Sequence, residues 1–79
     1  TVDQTVVYPR NVAEHALRNH ATALIFVHNH PSGDPFPSQQ DKDLTRRLQQ
    51  AVETFSMIVH DHIIIGKHGY YSFREKGDL

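Results

Sequence analysis

The segment Ala23-Leu24-Ile25-Phe26-Val27 is a continuous apolar run, and His28-Asn29-His30 follows it directly. A short apolar run without polar alternation is typical of a strand that is covered on both faces, as in the sheets of α/β proteins. We therefore predict a buried strand with His28 at its carboxyl end. In such sheets the carboxyl ends of the strands open into a crevice where ligands bind.

The sequence on either side of this run predicts two helices and three more strands. Asn11 and Glu14 have the spacing of a capping box at a helix start, and Ser38 with Asp41 repeats that spacing. Between the two predicted helix starts, residues 31–37 contain three prolines, which make a stiff loop. Strands are predicted at residues 5–8, 23–27, 57–66 and 70–73. The order β-α-β-α-β-β predicts an α/β fold with a mixed sheet and helices packed against it.

The second predicted helix carries an apolar stripe that extends back to a carboxylate. The apolar residues at helical spacing are Leu44, Leu48, Ala51, Val52 and Phe55. Counting back by helical turns places Asp41 on the same stripe, in the first turn. We therefore expect the carboxylate of Asp41 to face the core side of the helix where the chain enters it.

The composition limits what this chain can be. Its 79 residues are enough for one small domain, predicted to span residues 1–79. There is no cysteine, so any metal has to be held by histidine and carboxylate, and a cytoplasmic location is expected. The formal net charge of −1 provides no basic field for nucleic acid. No apolar run reaches the roughly 18 residues of a membrane span, so we expect no membrane partner.

Seven of the residues are histidines, and two of these lie at the end of the buried strand. In an extended segment His28 and His30 point to the same side, about 7 Å apart, so both imidazoles can reach one ion. Asp41 is the third candidate ligand. Two histidines and one carboxylate leave a position open, which is the pattern of a catalytic zinc site. The alternative is that the histidines are surface polar groups and that Ser38 and Asp41 form only a capping box.

A second His-x-His pair, His60 and His62, also points to one face of its predicted strand, with Asp61 opposite. A second metal site is possible there, but no carboxylate lies at a matching spacing. We expect instead that His62 or Asp61 donates or accepts hydrogen bonds that orient the ligands of the first site.

The stretch from His28 to Asp41, His-Asn-His-Pro-Ser-Gly-Asp-Pro-Phe-Pro-Ser-Gln-Gln-Asp, resembles the metal motif of the JAB/MPN (JAMM) metalloprotease superfamily. The residues at 59–66 and 71–75 are similar to its RadC-like branch. The resemblance implies a cytidine-deaminase-like three-layer fold in which His28, His30 and Asp41 bind zinc. It also implies that the Ser38 hydroxyl steadies an oxyanion while a zinc-bound water hydrolyses a peptide or isopeptide bond.

One residue of the superfamily pattern has no match here, namely an upstream glutamate that acts as general base. The only glutamate before His28 is Glu14, which we interpret as a helix-capping residue. We expect the base, and the N-terminal strands of the fold, to lie outside this chain, so the 79 residues alone should have little hydrolase activity. The alternatives are a catalytically silent metal-binding or protein-interaction module, and a DNA-repair factor suggested by the family name only. We expect the substrate to be a peptide or protein, whose identity the sequence does not give. A homo-oligomer is also compatible with the sequence.

Overall fold

The computed structural model describes residues 6–79, which form two helices and three strands. In chain order these elements are α1 (Pro9–Arg18), β1 (Ala23–Asn29), α2 (Gln39–Glu53), β2 (Ile58–Ile65) and β3 (Tyr70–Ser72). The strands make one sheet in the order β1-β2-β3, with β1 and β2 parallel and β2 and β3 antiparallel. This confirms the predicted α/β class with a mixed sheet. No helix in residues 6–79 is long and apolar enough to cross a membrane.

The predicted first strand does not form over residues 6–8, which have no regular structure, and Thr5 lies outside the described residues. Tyr8 instead becomes the N-cap of α1, and Pro9 takes the first helical position. Proline suits that position because its fixed φ is already helical and its missing N–H would have had no partner. The helix therefore starts before Asn11. Glu14 does not cap it and pairs with Arg10 on an exposed side of the helix, at 3.3 Å.

The core lies between the two helices and one face of the sheet. Its buried residues are Ala13, Ala16, Leu48, Val52, Met57 and Val59. The apolar stripe predicted for α2 is confirmed through Leu48 and Val52, which are fully enclosed. Phe55 departs from the prediction and is half exposed, because α2 ends at Glu53 and the chain then turns away.

β1 is covered on one face only, so the prediction that both faces are buried is wrong for the described residues. Ile25 and Val27 are 58% and 52% exposed, because both helices pack on the opposite face of the sheet. Ile58, Ile65 and Tyr70 extend the same apolar surface across the other strands. The described residues thus form two layers. A third layer, as in the fold that the resemblance implies, would cover this surface.

A bulge in β2 changes which residues face the helices. Leu24 pairs with Val59 and the next residue of β1, Ile25, pairs with Asp61, so His60 has no partner of its own. One extra residue reverses the alternation of the side chains that follow it. His60 is consequently exposed while His62 is buried with Val59, and the prediction that the two histidines share a face is wrong.

The loop between β1 and α2 rests on Gly66, just after β2. The Lys67 N–H donates to the Gly33 carbonyl at 2.7 Å, which brings the loop backbone against β2. A Cβ added at Gly66 would lie 2.5 Å from the Gly33 carbonyl oxygen and 2.6 Å from Pro35 Cδ. Both neighbours belong to a proline-rich loop that cannot easily shift. Gly66 therefore permits a close approach that fixes the path of the chain from His30 to α2.

We expect Gly66→Ala to lower the free energy of unfolding by about 1–3 kcal/mol, because the added methyl group overlaps backbone atoms of the loop. Urea denaturation followed by circular dichroism would measure the change. Gly69→Ala is the matched control, since a Cβ at Gly69 meets no atom within 4 Å. Equal stability of the two variants would show that the loop is free to move away from Gly66.

Candidate metal centre

His28 and His30 lie at the carboxyl end of β1 with their rings on the same side, as the spacing predicts. Their ring centroids are 5.0 Å apart. His30 follows the last residue of β1, and its backbone N–H donates to the Ile65 carbonyl at 3.0 Å. The sheet thus continues through His30 and sets the relative position of both imidazoles. Both side chains are partly buried, so each keeps a face open to an incoming ligand.

Asp41 completes the group from the first turn of α2. His30 Nε2 lies 3.0 Å from Asp41 Oδ2, and His28 Nε2 lies 3.4 Å from Asp41 Oδ1. One nitrogen or oxygen atom from each of the three residues lies within 4.8 Å of the others, close enough to share one ion. Within residues 6–79 no second group of three or more His, Cys, Asp or Glu meets this condition. The second metal site considered at His60 and His62 is therefore absent from the described part of the chain.

The hydrogen bonds around His30 show which of its nitrogens faces the site as an acceptor. Its Nδ1 lies 2.8 Å from the Asp34 carbonyl oxygen. A carbonyl oxygen can only accept, so the assigned ring proton is on Nδ1, and a neutral His30 presents the lone pair of Nε2 to Asp41. This arrangement places a nitrogen acceptor and a carboxylate oxygen face to face at 3.0 Å. Only a cation between or beside them, either a proton or a metal ion, satisfies both.

The charge states of the residues also suit a metal ion. Burial, the largest effect, lowers the pKa of His28, although Asp41 acts in the opposite direction. Burial works to raise the pKa of Asp41, but hydrogen bonding from Ser38 and the nearby histidines outweighs it and lowers that pKa. At neutral pH the site therefore combines the neutral imidazole of His28 with the carboxylate of Asp41, which are the forms that bind metals.

His62 lies directly behind His28, as expected of a residue that supports a ligand. Its Nε2 is 2.9 Å from His28 Nδ1. The ring is fully buried, stacks on Phe73 with centroids 4.5 Å apart and meets the edge of Phe26 at 5.1 Å. Burial and the neighbouring His28 lower the pKa of His62 to about 4, so it is neutral at physiological pH.

Asp61 takes a different position from the one expected. Its carboxylate accepts from the Ser72 hydroxyl at 2.6 Å and from the Arg74 backbone N–H at 3.0 Å, on the side of the chain that leads to the C-terminus. It also accepts from the backbone N–H of His62 at 2.7 Å. These contacts fasten the turn after β3 to β2, and they do not involve the side chains of the candidate ligands. Asp61 supports the site only by fixing the backbone on which His62 lies.

Ser38 is the N-cap of α2, which confirms the capping part of its two predicted roles. Its Oγ accepts from the Asp41 backbone N–H at 3.1 Å, and its own N–H donates to Asp41 Oδ2 at 2.8 Å. Both bonds of the capping box are therefore present. Ser38 is an exposed residue, and its Oγ uses only a lone pair in this cap, so the hydroxyl proton is available to a ligand.

Thr45 also belongs to the site, although it is not among the residues predicted from the sequence. It is 2% exposed, and its Oγ1 contacts His62 Nδ1. A signal for it exists in the sequence, because Thr45 is the polar residue one turn after Asp41 on the stripe that continues to Leu48. Polar residues on a buried stripe require a hydrogen-bond partner, which makes them candidates for a site.

Comparison with known proteins identifies a family for this chain. The family model of the RadC-like JAB domain matches residues 1–78. Relatives named UPF0758 proteins match over all 79 residues, with 57% identity in Ruegeria pomeroyi, 52% in Trichlorobacter lovleyi and 48% in Thermotoga maritima. The chain covers 35%, 34% and 36% of these relatives, so it spans about a third of their length.

The match extends over the strand, the loop and the helix that carry His28, His30 and Asp41. The mixed sheet with its two helices is compatible with a JAB-like fold. The similarity noted in the His-x-His segment is thus shared by the rest of the chain. The chain belongs to the RadC-like JAB domain family.

Proposed function

We propose that this chain is the zinc-binding part of a JAMM-type metallohydrolase that cleaves a peptide or isopeptide-like amide bond. The observation that carries the proposal is the convergence of His28 Nε2, His30 Nε2 and the Asp41 carboxylate. Two imidazoles and one carboxylate are ligands that zinc takes in catalytic sites, where three protein ligands leave a position for water or substrate. A cytoplasmic location and an unidentified peptide or protein substrate are part of the proposal.

The residues of this chain would hold the metal and shape the reaction around it. A zinc ion in such a site acts as a Lewis acid and can lower the pKa of water to about 7. His28 and His30 fix one side of the site because both lie at the end of β1, and Asp41 closes it from α2. Ser38 is the N-cap residue of α2. Its hydroxyl would donate to the oxyanion that develops on the substrate carbonyl.

The general base is the part of this mechanism that these residues do not supply. Glu14 lies on an exposed side of α1 in a pair with Arg10, and it takes no part in the metal centre. In the longer proteins of the family we propose that a glutamate outside the segment that this chain covers serves as base. A second candidate function follows from the same observation, namely a metal-binding or protein-interaction module without catalysis.

Metal analysis tests the site directly. We expect purified protein supplied with zinc to retain about one ion per chain, as a site with three protein ligands does. His28→Ala and Asp41→Asn should each abolish most of this binding, the second because it removes the anionic ligand while keeping an oxygen for the helix cap. Isothermal titration calorimetry and elemental analysis would measure both.

His68→Ala is the matched control, because His68 lies exposed in the turn between β2 and β3 and should leave zinc binding unchanged. Failure of the unaltered protein to take up zinc would contradict the proposed function. Equal zinc binding by His28→Ala would place the ion elsewhere.

Substitutions of Ser38 separate its structural role from its chemical role. Ser38→Ala should lower the free energy of unfolding by about 1 kcal/mol, because the cap of α2 is lost. Ser38→Asp keeps a capping oxygen but has no hydroxyl proton, so it should keep the stability while amide hydrolysis falls by about 10²–10³-fold. Ser38→Thr, which keeps both groups, should retain both properties.

Urea denaturation would give the stability of each variant. Activity would be measured in the longer protein that includes the proposed glutamate base, by mass spectrometry of a peptide mixture incubated with it. Full activity of Ser38→Asp would show that the hydroxyl only caps the helix.

A further inference from the structure

A chain of polar groups runs from α2 through the core to the back of His28. It begins at Thr45, whose Oγ1 lies 2.8 Å from the Asp41 carbonyl oxygen and 2.5 Å from His62 Nδ1. It continues from His62 Nε2 to His28 Nδ1 over 2.9 Å. His28 Nε2 then faces the carboxylate of Asp41, at 3.4 Å. The chain therefore starts at the backbone of Asp41 and returns to its side chain.

The position of the proton on His62 follows from these contacts. A threonine hydroxyl has one proton, and the carbonyl of Asp41 can only accept it. The lone pairs of Thr45 Oγ1 then face His62 Nδ1, and two lone pairs cannot approach to 2.5 Å without a proton between them. His62 must therefore donate from Nδ1. Because its ring is enclosed between Phe73 and Phe26, it carries no second proton, and its Nε2 is an acceptor.

The position of the proton on His28 follows in the same way. Its Nδ1 lies 2.9 Å from an acceptor, the Nε2 of His62, so Nδ1 carries the proton. The remaining nitrogen, Nε2, keeps its lone pair and points it at the position between His28, His30 and Asp41. His30 has the same tautomer, because its Nδ1–H donates directly to the Asp34 carbonyl.

We propose that Thr45 is a positioning residue that, through His62, fixes the tautomer of His28 so that Nε2 is always the metal-binding nitrogen. This inference rests on the proposed zinc site, and it adds a residue that touches neither metal nor substrate. Helix α2 therefore supplies both Asp41, the carboxylate ligand, and the Thr45 hydroxyl, which fixes the tautomer of His28 through His62. Supporting hydrogen bonds of this kind keep a ligand in its binding form before the metal arrives.

Two measurements test the inference. Long-range ¹H–¹⁵N spectra of the metal-free protein report which ring nitrogen of each histidine is protonated, and we expect Nδ1–H for both His62 and His28. Thr45→Val keeps the shape of the side chain and removes its hydroxyl. We expect this variant to lose the single tautomer of His62 and to bind zinc about 10–100-fold more weakly. Thr45→Ser, which keeps the hydroxyl, should restore both properties.

Thr54→Val is the matched control, because Thr54 makes the same bond to the carbonyl four residues earlier, Gln50, on the exposed end of α2. It should change neither the tautomers nor zinc affinity. A His62 protonated on Nε2 in the unaltered protein would overturn the inference, and so would unchanged zinc affinity in a folded Thr45→Val variant. Absence of zinc binding in the unaltered protein would instead contradict the proposed function, and the spectra of the metal-free protein would still decide the tautomer.

Discussion

The carboxylate of Asp41 belongs both to the N-terminal cap of α2 and to the candidate metal centre. One oxygen accepts the backbone N–H of Ser38 and so fixes the first turn of α2, and the same oxygen lies 3.0 Å from His30. The start of the helix and the end of β1 are thereby held together by one side chain. Since the carboxylate is charged at neutral pH, an unshared negative charge would remain between two imidazoles unless a cation joins them. Binding of a cation there stabilises the helix start as well as the site.

The proline-rich loop makes this arrangement possible by restricting the path between the two elements. His30 and Asp41 are separated by residues that turn tightly and rest on Gly66. Prolines limit the conformations of the unfolded loop, so less entropy is lost when His30 and Asp41 come together. The small core between the helices and the sheet contributes little surplus stability in a chain of this size. The preorganised loop and the helix cap therefore contribute much of the stability that positions the candidate ligands.

The convergence of His28, His30 and Asp41 could be predicted from the sequence because each position depends on a regular repeat. The histidines follow the two-residue alternation of a strand, and Asp41 follows the turns of a helix whose apolar residues are plain. The same reasoning did not find the burial on one face of β1, because an apolar run does not record how many layers cover it. It also placed His60 on the same face as His62, since alternation alone cannot detect an added residue. Thr45 was not singled out because its importance depends on a histidine 17 positions away.

The bulge at His60 decides which side chains in the second half of β2 face the helices. Up to Val59 the strand presents one set of side chains to the helices, and after the added residue it presents His62 and Ile64 instead of Asp61 and Ile63. Regular pairing of every residue of β2, without the bulge, would exchange the two sets and leave His62 on the outer surface, whereas deletion of His60 would restore regular alternation with His62 still facing the helices. Among members of the RadC-like JAB family that keep this histidine on the inner face, we expect either the bulge or a strand that is one residue shorter at this point.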